Sequence, residues 1–290
     1  MFKKELANPN YYEIGLAINC LANIANKELA RDCMSDLVSL MTHSKSYIRK
    51  KTILALYKLF IKYPQGLKLC FEKLKEKLDD PDISVVSTAV NVICELANKN
   101  PKNYLALAPI FFKLLTTSSN NWMLIKVVKL LSSLVKEEPR LARKLLEPLA
   151  TIIQNTGAKS LKYECIYAIT EALPYSKRED GSEPKAAGAV TKLCSDYLRS
   201  FLEESDQNLK YLGLVGFCNL LKSNQKSVID NRDLILKCLN DEDITIQKKA
   251  LELLVGIVSK KSFVELVKHL LEVRSFKVVY PENLRYSCFF

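Results

Sequence analysis

A β-branched residue or leucine, followed four positions later by a small or compact one, returns six times along the chain. It appears as Ile48/Thr52, Val85/Ala89, Leu124/Val128, Leu161/Cys165, Leu209/Gly213 and Ile246/Ala250, each time inside an amphipathic stretch that follows a polar turn. The intervals are 37, 39, 37, 48 and 37 residues. A unit of this size cannot bury its own apolar face, so copies of it must stack on one another to make a continuous core. The longer interval is accounted for by PYSKREDGSEP, residues 174–184, whose Pro, Gly and charged residues read as an inserted surface loop.

Each unit holds two helical patterns with apolar residues at i, i+3, i+4 and i+7. The first helices read LARDCMSDLVSLM, LKLCFEKLKEKL, NYLALAPIFFKLL, RLARKLLEPLATII, AVTKLCSDYLRSFLEE and RDLILKCL. The second read YIRKKTILALYKLF, ISVVSTAVNVICELA, WMLIKVVKLLSSLV, LKYECIYAITEAL, NLKYLGLVGFCNLL and ITIQKKALELLVGIV. Pro101, Pro139 and Pro184 stand near first-helix starts, where a missing N–H is harmless. Asp82, Asn121 and Asp243 offer capping oxygens ahead of second helices. No segment alternates with period two. The expected fold is all-α, an α-α superhelix of the HEAT/armadillo solenoid type over residues 1–272, with about seven helix pairs, some incomplete. Residues 11–26 read as a second helix lacking its partner, so the chain is expected to begin mid-repeat. The compact residue of each pair, Ala89 and Ala250 above all, is expected in the core, and Trp122 is expected to anchor it.

Several function classes find no residues to carry them. The 8 glycines form neither GxGxxG nor GxxxxGK[ST], so no phosphate-cradling loop is available. Two histidines, His43 and His269, exclude a multi-histidine metal site, and both fall where turn or helix-surface residues are expected. Acid pairs such as Asp79/Asp80 and Glu203/Glu204 sit at helix ends, where capping outweighs acid–base work. No catalytic, cofactor-binding or metal-ligating residue is assigned. The nine cysteines contain no CxxC, eight of them lie in apolar helical patterns, and MFKKELANPN lacks an apolar h-region. They read as small buried hydrophobes in a reducing, cytoplasmic compartment. The longest apolar run, YLALAPIFFKLL, is shorter than the ~20 residues that span a bilayer.

Net charge is +11, and residues 1–200 carry +10 of it. That excess favours acidic partners or anionic lipid. Two clusters stand out as candidate contacts with acidic lipid or an acidic partner: Lys45, Arg49, Lys50 and Lys51, which open a second helix, and Arg140, Arg143 and Lys144, which oppose the dipole at a first-helix start. For Arg49 a structural role competes. Arg49, Lys162 and Lys210 each follow the branched residue of their repeat, a position from which a basic side chain can bridge to an acidic turn of the neighbouring repeat. Lys73, Lys75 and Lys77 alternate with Glu72 and Glu76 and read as a solvated face.

The strings YIRKK (47–51), LKEKLDDPD (74–82), AVNVICELA (89–97), NPKNYLALAP (100–109), SSNNWMLIKVVKLL (118–131), EPRLARKLLEPL (138–149), LKYEC (161–165), DQNLKYLGL (206–214) and RDLILKCLND (232–241) resemble the trunk of the large adaptins, and within that family the delta subunits of adaptor protein complex three. The resemblance runs in order over residues 11–272. It implies a non-catalytic vesicle-coat subunit that pairs with a small sigma subunit, a beta-type large chain and a mu subunit. It further implies recruitment by an Arf-type GTPase to Golgi or endosomal membrane, peripheral contact with anionic lipid, and sorting of cargo toward lysosome or vacuole. No cofactor and no nucleic acid belong to that picture. The tail RSFKVVYPENLRYSCFF, 274–290, does not resemble the family and receives no function. Two alternatives carry weaker support. Another HEAT-type scaffold, of transport-receptor or phosphatase-scaffold kind, would share the period but not the ordered strings. A nucleic-acid-binding solenoid would need an aromatic and basic stacking face, which is lacking.

Overall fold

The computed structural model describes residues 2–177, 184–258, 263–264 and 267–268, and among them every regular element is helical. The helices are α1 (Phe2–Leu6), α2 (Tyr11–Ile24), α3 (Lys27–Asp32), α4 (Met34–Leu40), α5 (Ser46–Lys62), α6 (Gln65–Glu76), α7 (Ile83–Ala97), α8 (Ala108–Thr117), α9 (Asn121–Val135), α10 (Arg140–Asn155), α11 (Lys159–Ser176), α12 (Lys185–Glu203), α13 (Gln207–Leu221), α14 (Gln225–Ile229), α15 (Arg232–Lys237) and α16 (Ile244–Ile257). Short 3-10 turns at Lys77–Asp79, Pro101–Leu107 and Cys238–Asn240 extend the shorter helices. The chain divides into two compact units, Met1–Leu134 and Val135–Phe290.

The second helices are α2, α5, α7, α9, α11, α13 and α16, and their ends fall within three residues of the sequence reading. In the first unit α2 packs on α5 and α5 on α7. In the second, α10 packs on α11, α12 on α13, and α13 on both α11 and α16. The second helices α2 and α5 run parallel. The rungs between α2 and α5 show it, with Lys51 Nζ 3.4 Å from Asn19 Oδ1 and Lys58 Nζ 2.7 Å from Asn23 Oδ1.

The repeated pair of positions lies in the core throughout. Ile48, Val85, Leu124, Leu161, Leu209 and Ile246 are buried, and so are Thr52, Ala89, Val128, Cys165, Gly213 and Ala250. At Gly213 the reason for a small residue is visible. A Cβ there would lie 2.9 Å from Leu202 Cδ2 and 3.2 Å from the Leu198 carbonyl oxygen, so α13 approaches α12 only because no side chain intervenes.

Several second helices start where an Asx oxygen takes an otherwise orphaned amide, whereas α5 and α11 open after Lys45 and Ala158 without a side-chain cap. Asp82 accepts from the Ser84 N–H at 2.8 Å and Asp243 from the Thr245 N–H at 2.7 Å. The cap of α9 is Asn120, not Asn121: its Oδ1 accepts from the amides of Trp122 and Met123 at 3.1 and 3.3 Å. Asn121 is already the first helical residue. First helices are less regular than their periodicity suggests. The stretch 29–41 breaks at Cys33, and 103–115 begins as a 3-10 turn that becomes α8 next to Pro109, whose missing N–H cannot continue an α-helical ladder backward.

Three further expectations change. Trp122 is 81% exposed rather than a core anchor. Side chains lean toward the N-terminus of their helix, so a residue in the first turn projects off the packed end. Met123, Leu124, Val127 and Val128 fill the core instead. The segment 174–184 is not all loop, because α11 runs through Pro174 to Ser176; residues 178–183 lie outside the described residues. Cys20 is exposed on the outer face of α2, whereas Cys33, Cys70, Cys94, Cys165, Cys194 and Cys238 are buried as expected. The tail 273–290 and His269 also lie outside the described residues.

Candidate functional site

The sequence-predicted basic residues fall in two places. Lys45, Arg49, Lys50 and Lys51 belong to the unit ending at Leu134, and Arg140, Arg143 and Lys144 to the unit that follows.

The first group gathers at the entrance of α5. Arg49 turns inward and is 8% exposed. Its Nε and Nη2 donate to both carboxylate oxygens of Asp80 at 2.9 and 2.7 Å, while Nη1 donates to the carbonyls of His43 and Ser44 at 2.9 Å each. One guanidinium therefore ties its own turn to that of the next repeat, the structural role the sequence had offered as the alternative. Lys77 also donates to Asp80, at 3.3 Å, which draws it away from the solvated face expected for it. Burial alone would raise the Asp80 carboxyl, but the donors from Arg49, the Asp82 amide and Lys77 outweigh it and hold the group below its usual range.

The same arrangement returns in the second unit. Lys210 Nζ donates to Asp241 at 2.8 Å, again 31 residues on, and Gln247 Nε2 donates to the Asp241 carbonyl at 2.6 Å, as Arg49 does to that of His43. Asp241 is likewise held low, burial working upward and Lys210 and the Asp243 amide downward. Lys162 does not make this bridge. Its ammonium lies instead 4.1 Å from the Tyr197 ring centroid, and it is Lys159 that donates to Glu204, at 2.7 Å.

Lys45 is exposed and Lys50 and Lys51 are half-buried, with Lys45 and Lys51 beside a set of tyrosines that sequence reasoning missed. The rings of Tyr11 and Tyr12 meet at 4.1 Å between centroids, tilted by 34°, with Tyr47 6.3 and 6.2 Å from them. Gly15 makes room for Tyr47, since a Cβ there would lie 2.6 Å from its ring. Lys45 Nζ stands 5.8 Å from the Tyr11 centroid and Lys51 Nζ 5.7 Å from that of Tyr47, within cation–π reach. The signal was present in the sequence: Tyr11 and Tyr47 stand about one repeat apart, each beside the entrance of a second helix. Lys50 faces Asp82, whose carboxyl is lowered to about 2, first by the hydroxyl hydrogen bonds of Ser84 and Ser46 and least by the Lys50 charge.

On α10, Arg140, Arg143 and Lys144 are all exposed, opposite a buried face of Ala142, Leu145, Leu146 and Leu149. Pro139 precedes the helix and no acid lies in its first turn. Arg140 reaches Glu138 only at 3.9 Å, with its side chain 84% exposed. This surface can hold an anion or acidic segment, and it offers no group for bond-making chemistry.

A family model described as the adaptin N terminal region matches residues 1–275. The chain is 49% identical over 269 residues to the AP-3 complex subunit delta-1 of Bos taurus, an alignment covering 93% of the chain and 22% of the relative. It is 46% identical over 275 residues to the AP-3 complex subunit delta of Dictyostelium discoideum, covering 93% of the chain and 23% of the relative. The chain thus spans less than a quarter of either relative. A homology model of the full-length AP-3 complex in an intermediate open conformation superposes with a TM-score of 0.72 at 36% identity, covering 93% of this chain and 46% of that one. Crystalline importin beta superposes with a TM-score of 0.68 at 10% identity, covering 96% and 38%, a likeness of fold alone that identifies the helix stack as a HEAT-type solenoid.

Proposed function

The chain belongs to the adaptin N-terminal region family, and from that premise we propose that it serves as a non-catalytic scaffold subunit of a vesicle-coat adaptor complex of the AP-3 delta kind. It acts in protein transport from Golgi and endosomes toward lysosome or vacuole, in the cytoplasm and at the surface of those membranes. The observation that carries this is the 49% identity to an AP-3 delta subunit over 93% of the chain. The site supports it: the deeply placed charges are consumed in holding repeats together, and burial pushes the Cys94, Cys165 and Cys194 thiols up to about 12, leaving them inert.

The partners in this proposal are a sigma-type small subunit, a beta-type large adaptin, a mu subunit and an Arf-type GTPase, with residues 1–272 acting as one continuous solenoid. Contact with anionic membrane runs through Lys45, Lys50 and Lys51, each worth ~1 kcal/mol at such a surface, and Arg140, Arg143 and Lys144 take an acidic partner or lipid. Arg49 serves this surface by fixing the turn that presents the lysines. Co-expression with the sigma-type and beta-type chains should give a complex that co-elutes on size exclusion, whereas a chain that stays alone, or that binds RNA or DNA at near-physiological salt, would overturn the proposal.

A further inference from the structure

The entrances of α7 and α9 carry two large apolar side chains with no cover: Ile83, 59% exposed, and Trp122, 81% exposed. Both stand two positions before the repeat's branched residue, as Ser46 does at the entrance of α5. Within the first unit these entrances follow one another. Ser46 and Lys50 of α5 face Asp82, the residue immediately before Ile83. One repeat on, α7 meets α9 through Glu95 and Lys126 at 2.8 Å and through the Cys94 thiol, which lies 3.2 Å from the Lys126 carbonyl. Basic groups at the first entrance are thus followed, repeat by repeat along an edge that steps toward the last turn of α7, by isolated apolar groups at the next two entrances.

We propose that this edge is an interfacial membrane anchor, with Ile83 and Trp122 entering the headgroup layer of an anionic bilayer while Lys45, Lys50 and Lys51 bind lipid phosphates beside them. The inference rests on the membrane contact proposed above and adds insertion to it. Indole prefers the bilayer interface because its ring is apolar and its N–H remains hydrated there. The charge on this edge suits the same occupant. Asp80 is neutralised by Arg49 and Lys77, and Asp82 is spent on capping α7. Asp79 stays exposed and keeps the attraction moderate. A bilayer is favoured over a protein because Ile83 and Trp122 stand singly among polar turn residues, with Ser119, Asn120 and Asn121 exposed around the indole. A fluid surface accepts separate wedges, whereas protein hot spots are packed into one continuous patch.

Trp122 is the chain's single tryptophan, so its fluorescence reports this position alone. The full chain is titrated with vesicles of phosphatidylcholine and phosphatidylserine at about 7:3, with co-sedimentation measuring binding and acyl-brominated lipid measuring depth. The expected result is binding accompanied by a blue shift and by bromine quenching. Trp122→Ala should lower the partition coefficient about tenfold, and Lys50→Glu with Lys51→Glu should abolish binding and quenching together. Binding with an unshifted, unquenched indole would overturn the inference while leaving the membrane contact standing. Absence of co-sedimentation would overturn both.

Discussion

Replacing Asp80 by alanine would strand the Arg49 guanidinium, which is 8% exposed and would keep only the His43 and Ser44 carbonyls as partners. A buried charge left without its counterion typically costs about 3–5 kcal/mol. Asp80→Ala should lose stability on that scale in a urea titration, and the double change Arg49→Met with Asp80→Leu should recover most of it; equal losses in the two variants would mean the charge is not the cause. Asp241→Ala should cost less, because Lys210 is more exposed than Arg49 and water can take over its ammonium. The acid limb follows from the same carboxylates. Asp80, Asp82 and Asp241 are all held below their usual range, Asp82 at about 2. As pH falls the unfolded chain takes up these protons first, so their contribution is complete above about pH 4 and disappears between there and about pH 2. The urea midpoint should fall through that window, and Asp82→Asn should make the fall shallower. At this scale the bridges of Arg49 and Lys210 were legible, since repeat position alone puts a cation opposite an acidic turn. Trp122 was not: periodicity says which face of a helix is apolar, but not how far the neighbouring helix extends to cover its first turn.

Two glycines on facing helices separate propensity from packing. Gly188 lies in the exposed part of α12, where a Cβ would meet nothing within 4 Å, whereas a Cβ at Gly213 would meet the Leu198 backbone oxygen at 3.2 Å as well as Leu202. Gly188→Ala should therefore stabilise by about 0.5–1 kcal/mol through helix propensity alone. Gly213→Ala should destabilise, because the carbonyl it meets belongs to a helix that cannot shift without disturbing its own ladder. Thermal melts of the two single variants, moving in opposite directions, are the check. The second helices were legible from sequence because their apolar stripes run uninterrupted and, at α7 and α16, the Asp82 and Asp243 caps agree with them. The first helices were legible as elements but not in their geometry: the break at Cys33 and the 3-10 entry to α8 depend on local backbone bonding that periodicity does not record. The five-residue helices α1 and α14 are shorter than two turns, too short to show a period.

For a molecule built of stacked repeats, damage is expected to stay near where it is made, since each repeat touches only its neighbours. Ala250 is fully buried on α16, so Ala250→Asp places an unpaired charge in the second unit at a cost of roughly 3 kcal/mol or more. Hydrogen exchange should then accelerate in the amides of 207–257 while those of 11–97 keep their protection. Uniform acceleration along the chain would show one cooperative block instead. The period of the repeat was the most legible feature of all, yet it says nothing of where a run of equivalent units divides, because the core positions on both sides of residue 134 follow the same pattern.

The buried cysteines give the chain a set of built-in clocks. Cys33, Cys70 and Cys94 lie in one unit and Cys165, Cys194 and Cys238 in the other, and burial raises every one of these thiols, five of them to about 11 or 12. A thiol reagent attacks the thiolate, so each can react only after its own helix pair has opened to water. Cys20, already on the surface, should be alkylated at once. The others should follow at separate rates, and mass spectrometry of the labelled chain would time the opening of the helix pairs that hold them, leaving only 101–135, which has no cysteine, untimed.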